Sequence, residues 1–520
     1  MRVQFQEMKM TSMGEKLAER NKVKERARAA GSNAAIEKQR REGKMMARER
    51  VEKLLDPGSF QELDLLRTSA EDLLDKRAGG IPTDGVITGY GEVNGRPIFI
   101  WSQDATVLGG SMGVVHAQKV TTVMEKALQA RVPVVGIIDS AGERPGDLLQ
   151  YPHFYSLESI ARIQTLASGV IPQINLVMGP CTGGMALCTM MADFVFLVQK
   201  TSYMHVATAP EGKSGEEVGG AWMHATKTGC YDVFAINDED CIQKCRQLIS
   251  YLPQHNKEKP PFKECGDDPN RREEGLLELV PVNESKHFNM HKLISLIVDY
   301  GEFFEIRRHW ASNLIVGFAC LGGYVVGLVA NNPRDKGGCM TLDASDKMAS
   351  FVRLCDAFGI PLIWLADCPA FLPSRDEEIR GLIRHGCRVI YANTQATVPQ
   401  ITLSIRKLYG GGTLAMPGTG LGGDLYVSWP ALYQGVMGAE GAVSILYKGE
   451  LGAITDEAKR KEQKQKRVIE MTEHLKALEE QQPQEFLDPR DTRPFLIRAL
   501  KLFAGKIYEM PARKHDNIRL

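Results

Sequence analysis

The sequence has no apolar run approaching the roughly 20 residues a helix needs to cross a bilayer, so direct membrane insertion is not expected. It has no net charge: Lys+Arg and Asp+Glu both number 64. That balance argues against nonspecific nucleic-acid binding. It has no Cys-x2-Cys pair among its 11 cysteines, which argues against a zinc ribbon; the odd count argues against a fully paired disulfide framework. Cys241 and Cys245, four apart in "DEDCIQKCRQLI", read as two thiols on one helix face, not half a metal site. No metal is expected. The phosphate-loop pattern Gly-x4-Gly-Lys-Ser/Thr is missing. So is a signal-peptide core. Residues 13–29, "MGEKLAERNKVKERARA", are basic but carry Glu15, Glu19 and Glu25, which transit segments avoid; they read as an exposed helix of a cytoplasmic protein.

What is there is an ordinary soluble composition, 43% hydrophobic and 25% charged, over 520 residues. That length is too great for one core, and two domains of roughly 200–250 residues are expected. Self-comparison supports this. At an offset of 228, "HAQKVTTVMEKALQARVPVVGIID" (116–139) lies over "ASDKMASFVRLCDAFGIPLIWLAD" (344–367) without a gap. Lys119 falls on Lys347, Pro133 on Pro361 and Asp139 on Asp367. After one residue of slippage "IPQINLV" (171–177) lies over "VPQITLS" (398–404). The offset then reads as returning to 228, with Gly183 on Gly411 and Gly184 on Gly412. Each repeat reads helix, buried strand, loop, helix, strand, glycine pair, hence an α/β fold with helices packed on sheets. The expected division is a basic helical extension at 1–34, a first domain at 35–270 and a second at 280–520. The join falls in polar, Pro-containing 255–285, and a charged, exposed helix lies at 454–482.

The glycine pairs suggest chemistry. In "MGPCTGGMALCTMMADF" (178–194) and "RKLYGGGTLAM" (406–416) glycines follow a strand and open a helix. Such pairs serve tight turns. They also leave unpaired helix-opening N–H groups reachable by a substrate oxygen. That is an oxyanion hole, and two of them imply two oxygens that become negative.

These segments resemble the carboxyltransferase (β) subunits of biotin-dependent acyl-CoA carboxylases, of the propionyl-CoA carboxylase type. The likeness runs from about residue 35 to 505 and includes "GKMMARERVEKLLDPGSF" (43–60), "GGSMGVVHAQK" (109–119), "EVGGAWMH" (217–224) and "DPRDTRPFLIRAL" (488–500). The resemblance implies two tandem crotonase-like (ClpP/crotonase superfamily) domains, each a ββα superhelix. It implies carboxyl transfer between carboxybiotin on a separate carrier protein and the α or vinylogous carbon of an acyl-CoA. Gly183 and Gly184 would hold the thioester oxygen. Gly411 and Gly412 would hold the biotin ureido oxygen, with Gly410, Ala370 and Phe371 beside them. Lys119, Arg144, Gly219, Gly220 and Leu414 would lie on the acyl-CoA side, Lys119 either as a charge for CoA phosphates or as a solvated helix lysine. Biotin would supply the base, so the protein contributes orientation and electrostatics. The expected assembly is a homohexamer, a dimer of trimers, in which the acyl-CoA site of one subunit faces the biotin site of another. A biotin carrier or biotin carboxylase subunit is the expected partner.

Met8-Lys9-Met10 has the local form of a biotin attachment site, but no carrier domain surrounds it, so biotin is expected on the partner. Departures from the family pattern cluster at "DSAGERPGDL" (139–148), where the family reads "DSGGARIQEG", and at "PAFLPS" (369–374), where it reads "PGFLPG". His224 reads as ordering the site wall. His385 with Arg384, before Gly386, reads either as a helix end or as part of the biotin path. Two alternatives keep the fold: a biotin-dependent acyl-CoA decarboxylase working in reverse, with or without coupling to a sodium pump, and a CoA hydratase or isomerase using an acid such as Glu143.

Overall fold

Short apolar, β-branched runs form the strands of the computed structural model, which describes residues 12–29, 31–68, 81–150, 156–207, 212–480 and 486–518. Lys9 lies outside the described residues. The chain forms two compact units, Met1–Ser250 and Tyr251–Leu520. Residues just after 250 pack with the second: Tyr251 stacks on Phe318, and Phe262 bridges to Tyr324.

In the first unit β1 (Gln61–Leu63), β2 (Val86–Val93) and β3 (Arg96–Gln103) pair antiparallel. The sheet continues in parallel through β4 (Val134–Ser140), β5 (Gln173–Thr182), β6 (Phe194–Val198) and β8 (Val233–Ala235). β7 (Tyr203–His205) pairs with the C-terminal end of β5. The second unit repeats the plan. β9 (Phe303–Ile306), β10 (Leu314–Leu321) and β11 (Tyr324–Asn331) are antiparallel. β12 (Leu362–Cys368), β13 (Gln400–Tyr409) and β14 (Leu425–Ser428) are parallel, and β15 (Tyr433–Gly435) lies beside the end of β13. Both hairpins turn through two residues of positive φ, Asn94-Gly95 (54° and 74°) and Gly322-Gly323 (58° and 84°), as the right-handed strand twist requires.

β4 and β12 are buried at every position, as strands covered on both faces must be. The covering helices Val114–Ala130 and Leu342–Ala357 bury Val120, Val123 and Ala127, and Met348, Val352 and Cys355, at helical spacing. Each helix also buries one lysine. Lys119 Nζ donates to the carbonyls of Thr83 (2.8 Å) and Val86 (2.7 Å). Lys347 Nζ donates to those of Arg307 (3.0 Å), Trp310 (2.9 Å) and Leu314 (2.7 Å). Thr83 and Arg307 have φ near 50°, in turns that enter β2 and β10. The lysines add donors at these carbonyls, of which Thr83 O also takes Val86 N–H and Arg307 O takes Trp310 N–H. The phosphate role expected for Lys119 is therefore corrected: its ammonium is spent inside the fold, and burial pushes it down to about 8.

The charged stretch near the C-terminus forms the helix Glu457–Glu480. No helix among the described residues is long and apolar enough to cross a membrane.

Candidate active site

β5 runs into Gly183, whose φ of 68° and ψ of −145° is open essentially to glycine alone. Its N–H donates to the carbonyl of His205, the last residue of β7, at 3.1 Å. The next two residues, Gly184 and Met185, open the helix Gly184–Met190, and their N–H groups meet no acceptor among the described residues. β13 ends in the same way. Gly410, at φ 49°, donates to the carbonyl of Gly435, the last residue of β15, at 2.8 Å. The N–H groups of Gly411 and Gly412 then meet no acceptor among the described residues. Ala186 N–H closes onto Gly183 O and Thr413 N–H onto Gly410 O, both at 3.1 Å.

Gly183 thus corresponds to Gly410, and Gly184 with Met185 to Gly411 with Gly412. The one-residue slip at "IPQINLV" persists through the turn. The pairing of Gly183 with Gly411 is corrected, and so is Gly183 as an oxyanion donor, because the sheet consumes its N–H. Three consecutive glycines in one half against two in the other hid this register. Met185, an apolar residue acting through its backbone, carried no signal of its own.

Loops converge on each turn at the C-terminal edge of the parallel strands, where open α/β sheets bind ligands. In the first unit Met112 N–H donates to Gly142 O and Arg144 N–H to Met112 O, both at 2.8 Å. Thr182 Oγ1 donates to Ala141 O at 2.8 Å. In the second unit Met340 N–H donates to Ala370 O (2.9 Å) and Leu372 N–H to Met340 O (2.8 Å). The Phe371 ring lies between two glycines: an added Cβ would come within 2.7 Å of it at Gly411 and 2.9 Å at Gly386. The structure therefore brings Ala370, Phe371, Gly410, Gly411 and Gly412 together. Leu414, on the same turn, is 42% exposed and free to line a pocket. Gly386 sits inside the helix Leu382–Gln395, so the helix-end reading of His385 is corrected. The His385 ring bonds to Asp346 at 2.8 Å. Ser374 takes the place of a glycine because it caps the helix Arg375–Arg380, accepting from Glu377 N–H at 3.2 Å.

The other expected residues brace the first site. Arg144 is buried, with its guanidinium donating to Asp84 Oδ1 at 2.6 Å and Ser111 O at 2.9 Å. Its guanidinium is taken up inside the fold, where it fixes the loops, so its expected substrate-binding role is corrected. Gly219 and Gly220 let a helix end press on β7: Gly220 bridges to Tyr203, and a Cβ on Gly219 would come within 2.5 Å of Met204 O. His224 spends both ring nitrogens, on Met204 O (2.6 Å) and Thr228 Oγ1 (2.8 Å). His116 is buried against Asp84 O, and burial with neighbouring Arg144 pushes it down to about 3, so it stays neutral. Cys241 and Cys245 are buried thiols whose pKa values burial raises. No cluster of metal-ligating side chains occurs among the described residues. Glu143, beside the first turn, is half-buried, and its charge reaches the Cys188 thiol. Two fixed pairs of N–H donors suit stabilisation of anions formed on bound substrates.

Comparison with known proteins places this geometry. The family model described as carboxyl transferase domain matches residues 38–518. The chain is 40% identical over 518 residues to the propionyl-CoA carboxylase carboxyltransferase subunit of Haloferax mediterranei, covering 98% of this chain and 100% of that one. It is 38% identical over 522 residues to the methylmalonyl-CoA decarboxylase subunit alpha of Propionigenium modestum, with coverage of 98% and 100%. Its fold matches the crystal structure of transcarboxylase 12S, described as a hexamer assembly with hydrolysed methylmalonyl-coenzyme A bound, at a TM-score of 0.90 and 34% identity, with coverage of 98% and 99%. The two α/β units are thus of the crotonase-like kind, and the chain belongs to the carboxyl transferase domain family: it is a carboxyltransferase.

Proposed function

We propose that this carboxyltransferase moves a carboxyl group between carboxybiotin, borne on a separate carrier protein, and the α or vinylogous carbon of an acyl-CoA. The observation that carries the reading is the repetition of one device, a sheet-anchored glycine followed by two open N–H groups, at the same place in both halves. Two such turns serve a reaction in which two oxygens gain charge. In the first unit Gly184 and Met185 hold the thioester oxygen as it becomes an enolate oxygen. In the second, Gly411 and Gly412 hold the ureido oxygen. Biotin, when bound, supplies the carboxyl group and the base for the α-proton. The residues at the second turn fit it. The lack of Cβ atoms at Gly411 and Gly412 keeps the turn open against Phe371 and Cys368, and Ala370 and Phe371 form a wall. Leu414 gives the acyl pocket an apolar wall.

The assembly we propose is a hexamer in which the acyl-CoA turn of one subunit faces the biotin turn of another. The hexameric 12S core supports it, since this chain spans 99% of that one. The reverse direction, decarboxylation, has similar support: identity to the decarboxylase subunit, 38%, is close to that with the carboxylase subunit, 40%. One site stabilises one transition state in both directions. The test is transcarboxylation to free biotin: purified protein with malonyl-, methylmalonyl- and glutaconyl-CoA, each ester followed by chromatography. Biotin-dependent loss of one ester is expected. Loss that needs no biotin and is abolished by Glu143→Gln would favour the hydratase class.

A further inference from the structure

Arg406 and Lys407 are adjacent on β13, and both are buried. Arg406 is held by Asp367 at 3.0 Å and by the carbonyls of Asn283 and Lys286 at 3.1 and 2.6 Å. Lys407 is held by almost nothing. It is 8% exposed, yet its ammonium has one contact among the described residues, Gly337 O at 3.5 Å. The other two buried lysines show what a structural ammonium looks like here: Lys119 has two carbonyls within 2.8 Å, and Lys347 has three within 3.0 Å. A buried ammonium with so little company is costly to the fold. It suits an anion that arrives from outside.

Its position says which anion. Gly337 belongs to the loop after β11, and a Cβ on its neighbour Gly338 would come within 2.7 Å of Asp367 O, one residue before Cys368 at the end of β12. Cys368 lies against the second turn: a Cβ on Gly412 would come within 2.7 Å of its carbonyl. Lys407 therefore borders the crevice that holds the open N–H groups of Gly411 and Gly412. The duplication sharpens the point. Lys407 pairs with the first residue of β15 as Pro180 pairs with the first residue of β7, so the first site has proline where the second has a cation.

We propose that Lys407 is an electrostatic residue of the biotin-side crevice, its ammonium holding the carboxylate of carboxybiotin and then the ureido oxygen that inherits the charge. The inference rests on the carboxybiotin reading above. Lys407 moves no proton and no electron. The bond that breaks joins the ring nitrogen to the carboxyl carbon; CO2 leaves, the electron pair stays on the ring, and its charge collects at the ureido oxygen.

The test uses Lys407→Met in the full-length assembly, with Lys347→Met as comparison. Three quantities are read: biotin-dependent loss of methylmalonyl-CoA, the thermal midpoint without ligand, and the oligomeric state. Lys407→Met is expected to lower kcat about 100-fold, to leave the KM for the CoA ester and the assembly unchanged, and to melt at or above the wild-type midpoint. Lys347→Met is expected to melt lower. Stability without activity is a signature that a merely structural lysine does not give. Lys407→Met with wild-type kcat overturns the inference alone. So does Lys407→Met that melts lower or leaves the assembly, which would give the ammonium a structural partner. Wild-type protein that consumes no ester in a biotin-dependent way overturns the carboxybiotin reading itself, and the inference with it.

Discussion

Replacing Gly184 by proline removes one open N–H group and no hydrogen bond, because that N–H has no partner among the described residues. Proline is tolerated at the first position of a helix, where the amide is unpaired in any case. The steric effect is a Cβ within 2.5 Å of Leu157 Cδ1, the far end of a flexible side chain. Gly184→Ala adds the same Cβ and keeps the N–H. The ratio of kcat for the alanine and proline variants therefore isolates the donor. One oxyanion donor is worth about 10²–10³-fold, or about 2.7–4 kcal/mol. Gly183 behaves in the opposite way. Gly183→Ala keeps its N–H on His205 but forces a side chain into a conformation that costs about 1–3 kcal/mol. Stability should fall while kcat per folded enzyme stays near wild type. Turnover is followed as biotin-dependent loss of methylmalonyl-CoA and stability by thermal unfolding. Equal turnover of Gly184→Pro and Gly184→Ala in intact assemblies would refute the role of this turn. So would a Gly183→Ala protein that is stable but inactive.

Two further predictions concern buried charge. Lys119→Met takes the ammonium from the Val86 carbonyl and leaves Thr83 O with the Val86 N–H alone, a loss of about 1–3 kcal/mol. Urea unfolding should show it while the KM for CoA esters stays unchanged; a raised KM at unchanged stability would restore the phosphate-binding role. Asp193 accepts from Gln173 N–H at 2.8 Å, and burial pushes its carboxyl up to about 7. Between about pH 4 and pH 7 the unfolded chain ionises this group while the folded chain keeps it protonated, so its contribution to stability is full below about pH 4 and is lost as pH rises to about 7. Asp193→Asn should flatten that slope in unfolding measured across the range; an unchanged slope would show that Asp193 is not its source.

The duplication was legible in sequence because buried parallel strands need near-continuous apolar runs, and β4 and β12 keep theirs beside the matching Lys119–Lys347 and Asp139–Asp367 pairs. Those aspartates proved to be anchors. Asp139 takes Arg50 at 2.9 Å and Asp367 takes Arg406 at 3.0 Å, both buried. The glycine turns were legible as turns. Their register was not, since "GG" against "GGG" can be paired two ways and only the hydrogen bonds to His205 and Gly435 choose. Lys119 and Arg144 misled because a charged residue in a motif looks like a ligand-binding group until its burial is known. Lys407 drew no notice in sequence beside Arg406, and only its sparse company, Gly337 O alone among the described residues, marks it out.

The central claim is that the two turns serve two different substrates and that a working site draws one turn from each of two subunits. Mixing Gly184→Pro and Gly411→Pro subunits, unfolded and refolded together, tests it most directly. Each variant alone should be nearly inactive. Random mixing into hexamers should restore about a quarter of wild-type biotin-dependent turnover, because one site in four combines two intact turns. Mixed assemblies as inactive as their parents would contradict the account.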